Sequence, residues 1–469
     1  MIRKSALLTI LIAVPLASPI QAAPPALPSG LSSGSNNSPE MPAGLTSAPS
    51  LPAGLSNESS TSDAFSNTDD SEMPFSINGF WEARGGHRTQ SDPYERGTSI
   101  GETRLQLEMQ KEFEHFTANL TTDLLYDTVD RDRHIDLEQG TGWLDLREAN
   151  VEFSPVDLLD IKLGRQILTW GTGDLLFIND MFSKDWNSFF IGRDEEYLKA
   201  PSDAIKTSFF TSVANIDLII NPKFDADRYI DGRRISYYNP VMGEISGQNA
   251  VIETDQPDGS EVSVRIYQTV GAYELAVYGY DGYWKSPGGF DMTTGLATFP
   301  ELAVYGASAR GPLSKGIANI EMGYYDSKED SSGADPLINN SEFRFLAGYE
   351  QELIKDLTMG IQYYLEWLMD YDNYRDTLPI GSHPRDEYRH LLTTRLTWLT
   401  LNQNLQWSLF VFYSPSDNDA YLRPKVNYKI DDHWTAEAGG NFFIGKQDYT
   451  FFGQFKQNNN LFASIRYGF

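Results

Sequence analysis

The chain of 469 residues contains no cysteine, which excludes disulfide bonds, thiol catalysis and cysteine-ligated metals. Beyond its N-terminal segment it also lacks an uninterrupted apolar run of the roughly 18–20 residues that a membrane-spanning helix needs. A bundle of transmembrane helices is therefore excluded. Basic residues are few, because 37 Lys and Arg stand against 65 Asp and Glu, for a formal net charge of -28. This balance argues against a nucleic-acid partner and against a basic membrane-binding surface.

Histidine is also scarce. Of the six histidines, His390 falls within a predicted strand and the others lie in predicted connections. The sequence contains no His-Glu-x-x-His motif, no Gly-x-Ser-x-Gly elbow and no phosphate-binding loop. We therefore predict that the protein is not an enzyme and that it has neither a cofactor nor a metal site. A lipase or protease is the enzyme alternative that this pattern leaves open.

The N terminus has the pattern of a cleaved secretory signal. Arg3 and Lys4 precede an apolar run over residues 6–17 and a small-residue site that ends at Ala22 and Ala23. We predict a signal peptide over residues 1–22. Its removal leaves 35 basic against 65 acidic residues, a net charge of -30.

Residues 23–74 are rich in Pro, Ser, Gly and Asn and offer little to bury, so we predict a disordered periplasmic segment. A short Pro-Gly-Leu unit recurs at residues 27–31, 41–45 and 51–55. A low-complexity spacer explains it most simply. The alternative is a tether that binds a periplasmic or inner-membrane partner through residues 27–55.

From Phe75 onward, pieces of about ten residues alternate between apolar and polar side chains, the length that a tilted transmembrane strand needs. In residues 102–109, for example, Glu102, Arg104, Gln106 and Glu108 alternate with Thr103, Leu105, Leu107 and Met109. Aromatic residues make up 13% of the chain, and aromatic girdles mark transmembrane barrels. The pattern favours strands with one face in lipid and the other toward a polar lumen.

The chain ends on such a strand, since Leu461, Ala463, Ile465, Tyr467 and Phe469 alternate up to the C terminus. An ending of this kind resembles the assembly signal of bacterial outer-membrane barrels, which implies that Tyr467 and Phe469 contact the barrel-assembly machinery. It also implies an outer-membrane location, with lipid and lipopolysaccharide around the barrel.

Short and long connections alternate along residues 75–469. Eight tight turns and nine long loops make 17 connections, and outer-membrane barrels place short turns at one end and long loops at the other. We therefore predict an all-β fold, a transmembrane antiparallel up-and-down β-barrel of about 18 strands. The barrel would have 16 strands if one of the alternating segments has been split into separate strands by mistake. A barrel of this size is wide enough for an aqueous channel.

The third long loop, near residues 171–203, carries more apolar area than a surface loop can leave in water. We predict that it folds into the lumen as a constriction, and the alternative is a loop that packs on itself or on a neighbouring subunit. The predicted constriction residues are Phe177, Met181, Phe182, Trp186, Phe189, Phe190 and Arg193.

The strand before this loop contains Gly164-Arg165-Gln166, followed by Trp170-Gly171. This segment resembles the Gly-Arg-Gln strand of alginate-export-like and related porin-type barrels. The resemblance implies passive, selective passage of solutes through the outer membrane. Parity places Arg165 toward lipid, which is costly, so we predict a bulge at Gly164 that turns Arg165 into the lumen.

The same parity predicts equal sets of basic and acidic side chains on the lumen wall. The basic set is Arg104, Lys162, Lys206, Arg265, Arg344, Arg389, Arg395, Arg423, Lys425 and Lys429, with Arg165 added by the bulge. The acidic set is Glu102, Glu108, Glu148, Glu152, Glu261, Glu274, Glu321, Glu350, Glu366 and Glu437. Such rows predict a channel for small polar or anionic solutes. The alternatives are a transporter of hydrophobic compounds and the outer-membrane partner of an efflux or export system.

Overall fold

A computed structural model describes residues 76–130 and 134–469. The predictions for residues 1–22, 23–74 and 27–55 lie outside this described part. The main element is a closed ring of 18 antiparallel strands, which confirms the predicted fold. The strands are β1 (Ser76–Arg88), β2 (Thr98–Glu112), β3 (Thr117–Asp127), β4 (Leu144–Val156), β5 (Leu159–Ile167), β6 (Pro201–Phe210), β7 (Asn215–Asn221), β8 (Glu261–Val270), β9 (Tyr273–Tyr283), β10 (Glu301–Leu313), β11 (Gly316–Ser327), β12 (Glu342–Ile354), β13 (Leu357–Leu368), β14 (Tyr388–Thr400), β15 (Leu405–Ser414), β16 (Asp419–Lys429), β17 (Trp434–Gly445) and β18 (Asn460–Gly468).

Each strand pairs with its neighbours in the chain, and β18 pairs with β1 to close the ring. At the seam the backbone of Phe469 adds two hydrogen bonds to Gly79, at 3.1 and 3.0 Å. Closure leaves the ring without an exposed edge, which a sheet surrounded by lipid requires.

Eight turns of two to four residues join the strands at one end of the ring. The connections at the other end, numbered loop 1 to loop 9, cover residues 89–97, 128–143, 168–200, 222–260, 284–300, 328–341, 369–387, 415–418 and 446–459. By the usual orientation of such barrels the turns lie in the periplasm and the loops outside the cell.

Side chains alternate across the wall. On β2, Glu102 and Arg104 are buried inside the ring, whereas Thr103 between them is exposed on the outside. Opposed residues of neighbouring strands share a face, and Leu105 of β2 lies opposite Trp81 on one side and Leu124 on the other. Large apolar side chains are exposed on the outer face around the ring, among them Trp81, Ile205, Val277, Met322 and Trp407, and they form an apolar outer belt suited to lipid.

The inner face departs from the expected polar lumen on β15–β17. Phe410, Phe412, Tyr421 and Phe443 all face inward there and are each at most 4% exposed. They form an aromatic wall, defined by these four residues, which needs an apolar partner inside the barrel.

The loops carry the remaining secondary structure. Loop 3 contains helix α1 (Trp186–Ile191) and a 3-10 turn (Glu195–Leu198), and loop 7 contains helix α2 (Tyr371–Thr377). Loop 4 forms a small hairpin of Tyr237–Asn239 and Glu244–Ser246, and a three-stranded sheet joins loops 4 and 5 through Thr254–Asp255, Leu296–Thr298 and Gly289–Asp291. A second 3-10 turn, Gly453–Asn458, lies in loop 9. None of the helices in the described residues is long and apolar enough to cross a membrane.

Candidate functional site

Loop 3 turns into the barrel directly after β5 and is first held by Glu321 of β11. The backbone N–H groups of Thr172, Gly173 and Asn179 donate to the Glu321 carboxylate at 2.7, 3.2 and 2.8 Å. Glu321 is 1% exposed, and three backbone donors satisfy a carboxylate that would otherwise be costly to bury. This inward-facing side chain therefore fixes the start of the loop to the wall.

Asp174 provides the second attachment. Its backbone exchanges two hydrogen bonds with the Gln362 side chain of β13, at 2.7 and 2.9 Å. Its carboxylate accepts from Arg395 of β14 at 2.6 and 2.9 Å, a bidentate pair. Leu175 follows with φ of 58°, a left-handed conformation that is rare for leucine.

Helix α1 packs on the aromatic wall. The carboxylate of Asp185 caps the helix by accepting from Ser188 N at 2.7 Å. Phe189 and Phe190 then meet Tyr421 edge to face, with ring centroids 5.9 and 5.4 Å apart. The inward-facing aromatic residues of the strands are thus explained by the loop that covers them.

The far end of loop 3 reaches the opposite side of the ring. Arg193 donates to Glu102 of β2 at 2.6 and 2.9 Å, and Glu102 also pairs with Arg104 on the same strand. Glu321 lies on β11 and Glu102 on β2, nine strands apart in a ring of 18. Loop 3 therefore crosses the lumen from one side to the other.

Directly after Arg193, residues 194–196 present an acidic turn to basic side chains of the wall. Glu195 pairs with Arg395 at 3.2 Å and with Arg423 of β16 at 3.3 Å. Burial acts to raise the pKa of Glu195, but these two guanidinium groups outweigh it and hold the pKa below the usual value. Asp194 and Glu196 approach Arg466 of β18 at 3.5 and 3.7 Å. The arrangement places opposite charges on the loop and on the wall.

Loop 4 lies on top of loop 3 and was not singled out from the sequence. Arg228, 3% exposed, donates to Asp145 of β4 at 2.8 and 3.0 Å and to the α1 cap Asp185 at 3.4 Å. Asp227 accepts from Trp186 Nε1 at 3.0 Å. The apolar residues Ile230, Ile235 and Ile252 of loop 4 also join the core around loop 3. These three isoleucines were the feature of the sequence that could have predicted the inward fold of loop 4.

The strand pairing places most of the predicted lumen charges on the inward face. Arg265 pairs there with Glu274 at 2.6 Å, and Lys425 with Glu437 at 3.3 Å. Lys429 lies at the periplasmic end, beside Asp432, and its side chain is 52% exposed. The basic residues that the register puts on the inward face are Arg104, Lys162, Lys206, Arg265, Arg344, Arg389, Arg395, Arg423, Lys425 and Lys429. The acidic ones are Glu102, Glu108, Glu148, Glu152, Glu261, Glu274, Glu321, Glu350, Glu366 and Glu437.

Arg165 is different. The register runs unbroken through Gly164 and sets Arg165 opposite Ala149 and Asp203 on the outward face, so the predicted bulge is wrong. The guanidinium of Arg165 donates to the carbonyl oxygen of Leu137 in loop 2 and pairs with Asp203 at 3.4 Å. Loop 2 thus neutralises this charge at the extracellular rim, and Arg165 does not line the lumen.

Of the predicted constriction residues, Phe189, Phe190 and Phe182 are buried, and Phe182 packs in a separate small cluster with Leu168 and Ile219. Phe177, Met181 and Trp186 are only partly buried. These three residues line a cavity of about 1010 Å³ at the extracellular mouth of the barrel. Residues of loops 4 to 9 and of the extracellular ends of the strands complete its lining.

Arg84 of β1 was overlooked although the alternation of its strand points to it. It donates to Gly192 O at the end of α1 at 2.6 Å and pairs with Glu82 and Glu437 at 3.0 and 2.8 Å. Within residues 76–130 and 134–469, no group of three or more His, Asp or Glu side chains is arranged to hold a metal ion.

No protein-family model and no curated protein matches the chain. Solved structures match it over most of its length. OccAB3 of Acinetobacter baumannii has a TM-score of 0.50 at 11% identity, covering 84% of this chain and 99% of that chain. OccK11 (OpdR) of Pseudomonas aeruginosa has a TM-score of 0.48 at 8% identity, covering 84% and 95%. A loop L8 deletion mutant of OmpT, an outer membrane protein of Vibrio cholerae, has a TM-score of 0.39 at 9% identity, covering 85% and 100%.

At these identities the likeness concerns the fold. The chain shares its fold with OccAB3, in agreement with the predicted β-barrel. The predicted location in the bacterial outer membrane agrees with this fold and with the apolar outer belt. The narrower resemblance to the alginate-export-like family gains no support, since no family model matches.

Proposed function

We propose that the protein is an outer-membrane channel for the passive, selective passage of small polar or anionic solutes, and that it catalyses no reaction. One observation carries this proposal: loop 3 crosses the lumen of a closed 18-stranded ring and is attached to inward charges on opposite sides. A ring of this size leaves an aqueous lumen. A loop that crosses the lumen narrows the path of a solute without blocking it.

The charges around the loop support selectivity. The acidic turn at residues 194–196 faces Arg395, Arg423 and Arg466. These opposite charges, held in contact on the loop and on the wall, border the remaining path and act on the polar solutes that pass beside them. Lower on the wall, Lys162 and Lys206 lie directly opposite each other on β5 and β6, which favours the passage of anions over cations of similar size.

Swelling of proteoliposomes tests the proposal. Vesicles containing the purified barrel are transferred into isosmotic solutions of arabinose, glucose, a disaccharide, gluconate or glucosamine. We expect swelling that slows with solute size and is faster with gluconate than with glucosamine. Vesicles containing heat-unfolded protein are the control. Absence of swelling with every solute contradicts the channel.

A transporter of hydrophobic compounds is the second candidate, and one observation favours it. Phe177, Met181 and Trp186 keep part of their apolar surface exposed to the extracellular cavity. Entry of an apolar fluorescent probe into the same vesicles, with no swelling in sugars, would favour this candidate over the polar channel.

A further inference from the structure

The cavity at the extracellular mouth has an apolar side formed by loop 3 and loop 4. Leu175, Leu176, Phe177, Met181 and Ile230 line it and are only partly buried. When another apolar group covers apolar surface that faces water, the free energy of the system falls. This side of the cavity is therefore suited to the apolar part of a solute.

Leu175 in this lining has an unusual backbone conformation. Its φ of 58° is a conformation that leucine rarely adopts. The preceding residue, Asp174, enforces this conformation through its two backbone hydrogen bonds to Gln362 and its bidentate pair with Arg395. Strain of this kind concentrates at functional sites, and here it lies in the apolar lining.

Another part of the cavity wall is charged but balanced. Arg344 pairs with Glu342 at 2.7 Å, and Arg385 of loop 7 pairs with Glu342 and Glu366 at 2.8 and 2.6 Å. Arg389 pairs with Asp417 at 2.9 Å. Three guanidinium groups thus face three carboxylates, so these pairs offer donors and acceptors side by side without a net charge among them, and Asp386 of loop 7 adds one further carboxylate to the lining.

We infer that the cavity binds a net-neutral amphipathic solute, of the class of zwitterions that carry an apolar group. The apolar group lies on the loop 3 side, while the cationic and anionic ends of the zwitterion meet carboxylates and guanidiniums of the balanced wall. A volume of about 1010 Å³ suits a small-molecule site. The inference rests on the proposed channel and specifies which solute its entrance selects.

Current recordings from the full-length barrel in planar bilayers test this inference. L-phenylalanine, L-serine, 3-phenylpropionate and 2-phenylethylamine are added in turn to the extracellular side. We expect L-phenylalanine to interrupt the current with residence times at least about tenfold longer than those of L-serine, because a benzyl group is buried. We also expect L-phenylalanine to stay longer than the anion and the cation of similar shape.

Two variants give a matched comparison. Leu176→Gln removes apolar lining, and we expect the residence time of L-phenylalanine to fall about fivefold. Val241→Gln makes a similar change at the tip of the loop 4 hairpin, where Val241 is 83% exposed, and should leave the residence time unchanged. Glu366→Gln removes one carboxylate from the balanced wall and should shift the preference toward 3-phenylpropionate.

The possible failures are distinct. If current flows but L-phenylalanine and L-serine have equal residence times, or the anion stays longest in the wild type, the inference is overturned while the channel stands. If no current flows, the channel proposal fails. Equilibrium dialysis of labelled L-phenylalanine against the detergent-solubilised barrel then decides whether the cavity binds it, and saturable binding that Leu176→Gln weakens would support the inference.

Discussion

At the residue scale, Arg395 joins two separate segments of loop 3 to the wall. It holds Asp174 near the start of the loop and Glu195 in the acidic turn, at 2.6 and 3.2 Å. Alternation in the sequence predicted that Arg395 faces inward, because the period of a strand is fixed at two. Its partners were beyond prediction, since they belong to a loop more than 190 residues away in the chain.

Replacement of Arg395 by Gln should loosen loop 3. It leaves Asp174 and Glu195 without the guanidinium, and loss of a partner from such a partly buried group costs about 1–3 kcal/mol locally. We expect a larger and noisier single-channel current. Lys429→Gln is the control, since Lys429 pairs with an exposed Asp432 at the periplasmic end. Equal currents from both variants would show that Arg395 does not hold the loop in the path.

Glu95 in loop 1 makes a contact that depends on pH. Burial raises the pKa of Glu95 to about 7, against the lowering effect of Arg88, and its carboxylate accepts from Gln248 of loop 4 at 3.3 Å. Because this pKa lies above that of an unfolded glutamate, the stabilisation is fully present below about pH 4.5 and is lost as pH rises to about 7.

Hydrogen exchange measured across this range checks the sign. After correction for intrinsic exchange, amide protection around Gln248 should fall between about pH 4.5 and pH 7 and stay level above that range. In Glu95→Gln, which keeps an uncharged side chain of the same shape, it should stay constant. Glu244→Gln, an exposed change on the same loop 4 hairpin, should behave like the wild type. Protection that rises with pH would contradict this account of Glu95.

Loop 3 and loop 4 act together at the scale of elements. The apolar composition of loop 3 predicted that it leaves the surface, because ten large apolar residues cannot remain in water. Loop 4 has its apolar residues spread among Gly, Asp and Arg, so its inward fold was not predicted. For Arg165, strand parity correctly indicated an outward side chain, and the bulge predicted in order to turn it inward was wrong. The contact with loop 2 that covers Arg165 could not be predicted from the sequence.

Arg228 joins the two loops to the wall and offers a test of their coupling. Arg228→Gln leaves Asp145 and Asp185 without their shared cation, so loop 4 should lift from loop 3 and the mean conductance should increase. Arg233→Gln lies in the same loop, but Arg233 is 58% exposed and pairs with Asp231 near the surface. A surface pair contributes little, so this control should conduct like the wild type, and an equal rise in both variants would contradict the assignment.

At the scale of the whole molecule, the number of strands was predictable because tight turns and long loops alternate throughout the barrel. The ring has the predicted 18 strands, and the C-terminal residue closes it against β1. What the count does not reveal is how much of the lumen the loops fill, since that depends on contacts between distant segments.

Removal of Phe469 tests closure. The deletion loses two backbone hydrogen bonds to Gly79 and the terminal aromatic side chain, and each hydrogen bond contributes about 1 kcal/mol. We expect a smaller fraction of assembled, heat-modifiable barrel on a gel. Phe469→Tyr keeps the backbone and the ring and should assemble normally. An undiminished assembled fraction after deletion would show that the last residue is dispensable.

The central claim is that the wall of the barrel has lipid on one side and a conducting aqueous lumen on the other. Because the chain has no cysteine, a single introduced cysteine is its sole thiol. Glu108 faces the lumen and its neighbour Leu107 faces outward on β2. We expect a charged, membrane-impermeant thiol reagent to modify Glu108→Cys in bilayers and change the single-channel current, and to leave Leu107→Cys unmodified. Modification of Leu107→Cys at the same rate, with no change in current from Glu108→Cys, would contradict the account.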